Sequence, residues 1–262
     1  MHGAGNSFVM IEKDSAGSDD YSELAVKLCS EGEIKTDGMI LVCPYEGQDA
    51  DFQMLFYNSD GSLGEMCGNG ARCIARYGFE RRYADNADNI RIMTTAGIVT
   101  AKRISESLYR IRINDPSVFY EDFKAETSFG TVKCAYTELG NPGIPHAVVL
   151  SSEDEMNDTD SLRDKGREIR SSVSFKKGAN TTFVVPEGND TFRAITYERG
   201  VEDFTLACGT GSAATAIALS SWGLTDGNSV LIKMPGGDLF LEFEKENGTF
   251  KNIYLTGPTA YI

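Results

Sequence analysis

Apolar positions along the chain fall mostly into short runs of strand length, not into long helical stripes. "MILVCPY" from Met39, "ADFQMLFY" from Ala50, "NIRIMTTAGIVTAKRI" from Asn89, "LYRIRI" from Leu108 and "AVVL" from Ala147 are rich in β-branched and aromatic residues. The same holds for "TTFVVPE" from Thr181, "DTFRAITY" from Asp190, "SVLIKMP" from Ser229 and "DLFLEF" from Asp238. Helical patterning is confined to "DYSELAVKLCSEG" from Asp20, "SLRDKGREIRSS" from Ser161, and two small-residue segments that each follow a cysteine. The pattern predicts an α/β (α+β) protein in which β-structure predominates.

The segments after the two cysteines belong to a longer internal repeat. "FYNSDGSLGEMCGNGARCIA" from Phe56 and "TYERGVEDFTLACGTGSAATAIA" from Thr196 share an order of parts. A β-rich run ends in tyrosine, a polar turn follows, then Cys-Gly-x-Gly, then an alanine-rich helix. Tyr57 lies 10 residues before Cys67 and Tyr197 lies 11 before Cys208. This predicts two similar domains, residues 1–115 with Cys67 and 116–262 with Cys208. The boundary falls near "INDPSV", where Asp and Pro end the strand pattern, and the extreme C-terminus is left free to pack back on the first half.

Composition narrows the function. A net charge of −14 over 262 residues would repel nucleic acid and anionic membranes. No apolar run approaches the roughly 18 residues of a membrane span, and the first 20 residues lack a signal-peptide pattern, so a cytoplasmic address is expected. The six cysteines, at 29, 43, 67, 73, 134 and 208, are then expected to be reduced and mostly core residues. A zinc site from Cys67, Cys73 and Cys208 is the metal-binding alternative. It is disfavoured because Cys67 and Cys73 on one helix would stand about 240° apart, so no metal is expected.

A cysteine just before a helix faces unsatisfied N–H groups and the positive end of the helix dipole, which favour thiolate over thiol. The glycines after it let backbone amides close around an anion such as a carboxylate. One Cys-Gly-x-Gly is most simply a turn that opens a packed helix. Two of them, in duplicated halves related by a pseudo-twofold axis, would place two thiols on opposite sides of one substrate. One would remove a proton from a carbon next to a carboxylate, and the other would deliver a proton to the opposite face. The carbanion is a poor one, and each preorganised donor to its carboxylate is worth roughly 3 kcal/mol.

The stretches "HGAGNSFVMIE", "YNSDGSLGEMCGNGARCIARY", "ANTTFVV" and "YERGVEDFTLACGTGSA" together resemble the diaminopimelate epimerases. This family of cofactor-independent enzymes serves the lysine and peptidoglycan pathways, and the resemblance covers nearly the whole chain. It implies two pseudo-symmetric domains, each a mixed sheet or barrel wrapped around a central helix, with the active site in the cleft between them. It also implies that Cys67 and Cys208 are the catalytic pair. Gly68 and Asn69, with Gly209 and Thr210, match the donors around the reacting carboxylate. Asn6, Asn58 and Asn180 match asparagines that hold the substrate. Glu198 and Arg199 match a pair that reads its amino group and distal carboxylate. The implied partner is a small amino acid, with no cofactor; a homodimer stays open.

Plainer readings stand beside these. Asn6 and Asn58 are good turn formers, Glu198 and Arg199 could be a solvated ion pair, and His146 reads as a satisfied structural histidine outside the catalytic set. Departures from the family pattern bear on the substrate. The chain opens at "MHG" with no strand before it, Ser7 stands where aspartate is usual, and Glu198 lies one residue further from its cysteine. "GNPGIPH" fits the usual Gly-Asn-Pro-His in two ways. If "GIPH" fills it, Ile144 replaces an asparagine; if "GNP" does, Asn141 is retained and His146 is displaced. The first is preferred, because "GIPHAVV" runs into the expected strand. Diaminopimelate is the expected substrate, with another amino acid handled by the same mechanism as the alternative. A non-catalytic amino-acid- or zinc-binding protein is the further alternative.

Overall fold

In the first part of the chain, the runs rich in β-branched and aromatic residues become β2 (Asn6–Glu12), β3 (Gly38–Cys43), β4 (Phe52–Asn58), β5 (Asn89–Thr94), β6 (Gly97–Arg103) and β7 (Leu108–Arg112), preceded by the short β1 (His2–Gly3). Helices α1 (Tyr21–Glu31) and α2 (Gly68–Arg81) lie between them. The computed structural model describes residues 1–32, 34–64, 67–84 and 88–262. Two units result, one of Met1–Arg112 with Thr256–Ile262 and one of Ile113–Leu255. The second contains β8 (Pro116–Thr127), β9 (Gly130–Leu139), β10 (Ile144–Leu150), α3 (Glu153–Asn157), α4 (Thr159–Arg170), β11 (Asn180–Gly188), β12 (Thr191–Glu198), β13 (Asp203–Thr205), α5 (Gly209–Ser221), β14 (Ser229–Met234) and β15 (Gly237–Glu246). It also contains most of β16 (Thr249–Pro258).

Strand pairing repeats between the units. In the first, β2 and β3 are parallel, β3 and β4 antiparallel, β4 and β5 parallel, β5 and β6 antiparallel. In the second, β10, β11, β12, β14 and β15 follow the same alternation. An antiparallel strand precedes each set, the two-residue β1 on β2 and the ten-residue β9 on β10. Parallel neighbours cannot be joined by a tight hairpin and need a crossover. The helices supply it: α1 and α2 in the first unit, α3–α4 and α5 in the second. The second crossover helix of each unit is the one that follows a cysteine.

These two helices run inside their sheets. Every residue of α5 from Gly209 to Ser220 is buried, and strands β9, β10, β11, β14 and β15 pack around it. The Gly, Ala, Ser and Thr content of α5, small and non-ionic all round, suits such burial. Helix α2 is buried from Gly68 through Ala75 and touches β1, β2, β5, β6 and β7. The other helices lie outside and bury one face: α1 places Ala25 and Cys29 against Met39, and α4 places Leu162 and Ile169 in the core around Phe183. Helices α1 and α4 start on aspartate caps, Asp20 to the N–H of Glu23 and Asp158 to that of Ser161.

Strands β8, β9 and β16 extend beyond the sequence pattern. Pro116, read from sequence as a strand end, opens β8, a position where the missing N–H is harmless. β8 is half exposed and bulged against β9, so its polar residues hide the strand period. Among the described residues no helix is long and apolar enough to cross a membrane.

Candidate active site

Cys67 and Cys208 occupy equivalent positions, each the cap of its unit's central helix. Both have extended backbones, φ −108° and ψ 113° at Cys67, φ −121° and ψ 109° at Cys208. The sulfur folds back over the helix start in both cases. Gly70 N–H donates to Cys67 Sγ at 3.4 Å and Gly211 N–H to Cys208 Sγ at 3.3 Å. The second glycine of Cys-Gly-x-Gly permits this approach. A Cβ at Gly211 would lie 3.1 Å from Cys208 Sγ and from Thr182 Oγ1, and one at Gly70 would lie 3.1 Å from Ile40. Each sulfur therefore sits on amide donors at the positive end of a buried helix.

In the first unit the side chains of Asn6 and Asn69 are joined, Asn69 Nδ2 donating to Asn6 Oδ1. Behind them lies Arg72, fully buried, which donates to Gly68 O at 3.3 Å and to Asn69 Oδ1 at 2.8 Å. Ser7 donates through its N–H and hydroxyl to the same oxygen of Asp37, at 2.7 and 3.1 Å. A serine there supplies donors where an aspartate would bring a second carboxylate. Asn58 holds its own turn, with Nδ2 on Ser62 Oγ at 2.9 Å, so the turn role read from the sequence is present. Glu65 and Met66, which lead into the motif, lie outside the described residues.

In the second unit Glu198, at the end of β12, hydrogen-bonds Thr205 Oγ1 and the sulfur of Cys208. Desolvation raises its carboxyl above the ordinary range, against the lowering by these two bonds. Cys208 Sγ also lies 3.7 Å from Thr210 Oγ1. The Oδ1 of Asn180 accepts the backbone N–H of Arg199 at 2.8 Å, and the Arg199 guanidinium donates to Lys177 O at 3.0 Å. Glu198 and Arg199 thus turn to different partners and do not form the solvated ion pair of the plainer reading.

His146 departs from its sequence reading. It lies beside Asn180 in the β10–β11 pair, is fully buried, and among the described residues neither ring nitrogen has a hydrogen-bond partner. Burial, reinforced by the Arg199 charge, pushes it down to about 3. It is buried but not satisfied, which makes it a further candidate that the sequence reading left out; its place in "GIPH" was the available signal. β10 begins at Ile144, whereas Asn141 lies in the exposed turn before it, so "GIPH" is the segment that runs into the strand. The cysteines outside the two motifs are buried, and burial pushes Cys73 and Cys134 up to about 12. Cys73 packs inside α2 against Gly3. Among the described residues no group of three or more His, Cys, Asp and Glu could hold a metal ion.

The family profile for diaminopimelate epimerase matches residues 1–111 and 139–262. The chain belongs to the diaminopimelate epimerase family. The diaminopimelate epimerase of Hydrogenobaculum sp. is 35% identical over 270 residues, covering 99% of this chain and 94% of the relative. That of Flavobacterium psychrophilum is 35% identical over 263 residues, covering 99% and 95%. Solved structures with the same fold include a PhzF-family phenazine biosynthesis protein from Bacillus anthracis, with TM-score 0.71, 14% identity and coverage of 98% and 92%. A probable proline racemase from Agrobacterium radiobacter gives TM-score 0.68, 17% identity and coverage of 98% and 88%. These two show the fold, with its two pseudo-symmetric domains. The stretch outside the family match, 112–138, carries β8 and nearly all of β9.

Proposed function

We propose that the protein interconverts LL- and meso-diaminopimelate by two-base proton transfer at Cα, with Cys67 and Cys208 as the pair. The observation that carries this reading is the repetition of one device, a cysteine capping a buried helix with a glycine amide on its sulfur, in a chain of this family. One thiolate takes the Cα proton and becomes a thiol. The other thiol gives its proton to the opposite face and becomes a thiolate. Atoms and charge balance, and the reverse reaction starts from the exchanged protonation state. The amides of Gly68, Asn69, Gly209 and Thr210 hold the reacting carboxylate as its charge rises. Asn6, Asn58 and Asn180 position the amino acid, Arg199 meets the distal carboxylate and Glu198 the amino group. Every group in the scheme belongs to the chain, and the reaction takes place in the cytoplasm.

A second reading keeps the chemistry and changes the amino acid. Ile144 at the start of β10 favours it, because the family pattern has a polar asparagine where "GIPH" places isoleucine. Purified enzyme in deuterium oxide, given LL-diaminopimelate and a panel of L-amino acids, separates the two by proton NMR. Loss of the Cα signal fastest for diaminopimelate supports the first reading. Exchange confined to another amino acid replaces it with the second, and no exchange at all overturns both.

A further inference from the structure

Arg72 makes an unusual choice of partners for a buried cation. Its residue is 0% exposed, and burial lowers the guanidinium to about 10, so it remains charged at neutral pH. A charge removed from water is normally matched by an opposite one, yet among the described residues no carboxylate pairs with Arg72. Its two hydrogen bonds go to Gly68 and Asn69, the two residues that follow Cys67.

The direction of those bonds has a consequence. A guanidinium can only donate, so the atom of Asn69 facing it must be the oxygen. The amide nitrogen of Asn69 then points the other way and donates to Asn6 Oδ1. With its oxygen engaged, Asn6 has its own NH2 group left to offer. An amide side chain is nearly symmetric in shape and, unanchored, can turn over to exchange donor for acceptor. Arg72 sets the direction of the whole chain of donors. The second unit has Thr210 in place of Asn69 and Ala213 in place of Arg72, so it has neither an amide to orient nor a guanidinium to orient it.

We propose that Arg72 is a positioning residue of the epimerase site, which fixes the polarity of the Asn69–Asn6 pair so that Asn6 presents donors to a substrate carboxylate. This rests on the reading that Asn6 holds the substrate. The test is a double-mutant cycle in the full-length enzyme with LL-diaminopimelate, using Arg72→Met and Asn6→Ala singly and together, with circular dichroism for each. Arg72→Met is expected to raise KM about tenfold, the scale of a lost hydrogen bond to a charged group, with a smaller change in kcat. In the Asn6→Ala background the same substitution is expected to change KM less than about twofold. Arg72→Lys, which keeps a donor for Asn69, should restore most of the KM. If Arg72→Met does not fold, Asn69→Asp replaces it in the cycle, because aspartate still accepts from Arg72 but cannot donate to Asn6. Equal KM penalties in both backgrounds, or no penalty, would overturn the role of Arg72. Wild-type enzyme that does not epimerise diaminopimelate would instead overturn the proposed function.

Discussion

The helix starts at Cys67 and Cys208 share a backbone and differ in the charged groups around them. Behind Cys67, the second turn of its helix carries the buried guanidinium of Arg72, and the positive charge is felt at the sulfur. Beside Cys208, a carboxyl hydrogen-bonds the sulfur, and its own ionisation is opposed by burial. The repeat thus preserves the amide on each sulfur at a helix N-terminus and varies the charged group beside it. In the proposed mechanism the two thiols hold opposite protonation states in each direction, which unequal surroundings favour.

The comparison breaks most completely if either sulfur is dispensable. Cys67→Ala and Cys208→Ala are each expected to lower epimerisation by about 10³-fold or more, the upper range of general acid–base catalysis, with the circular dichroism spectrum unchanged. Similar rates in one variant and the wild type would reduce that helix start to a packing device.

A smaller effect is expected at the distal carboxylate. Arg199→Lys should lower kcat/KM for diaminopimelate by roughly 10- to 100-fold, because lysine loses the bidentate fork. Amino acids without a second carboxylate should be spared. Equal losses on both substrate types would assign Arg199 to the Lys177 carbonyl and Asn180 alone.

Stability against pH sharpens the contrast further. Glu198 has a raised folded pKa, so its share of stability is complete below the ordinary carboxylate value and is lost as pH rises through the raised one. Glu198→Gln should therefore gain on the wild type across that window, by up to about 1.4 kcal/mol per pH unit, in urea unfolding. His146 has the opposite sign. Its folded value is depressed to about 3, so stability is complete above its unfolded value near 6.5 and falls as pH drops toward 3. His146→Gln should flatten that decline, with the same limiting slope. Parallel stability curves for variant and wild type would show that the group is hydrated in solution.

Much of this was legible in the sequence because it is periodic. The strands from Gly38, Phe52, Asn180 and Thr191 are apolar or alternating, and the Cys-Gly-x-Gly repeat announces both central helices. The β8 strand was not legible, because a half-exposed, bulged strand that starts at proline carries no clear period. Nor was the burial of Arg72, since "CGNGARC" reads equally well with its arginine in solvent. The unsatisfied state of His146 and the contact of Glu198 with Cys208 depend on neighbours distant along the chain, Asn180, Arg199 and the helix start. Local pattern identifies such residues without saying what faces them.

The central claim, two thiols acting from opposite faces, is tested most directly by where deuterium appears first. LL-Diaminopimelate is incubated with wild-type enzyme in deuterium oxide and stopped at low conversion. A thiol that has exchanged with solvent carries deuterium, whereas the thiolate on the other face removes protium. The prediction is that the meso product carries deuterium at its inverted carbon while the remaining LL substrate keeps its protium. Deuterium entering unreacted substrate as fast as product, or product that retains the original proton, would mean that a single base serves both faces and would contradict the account.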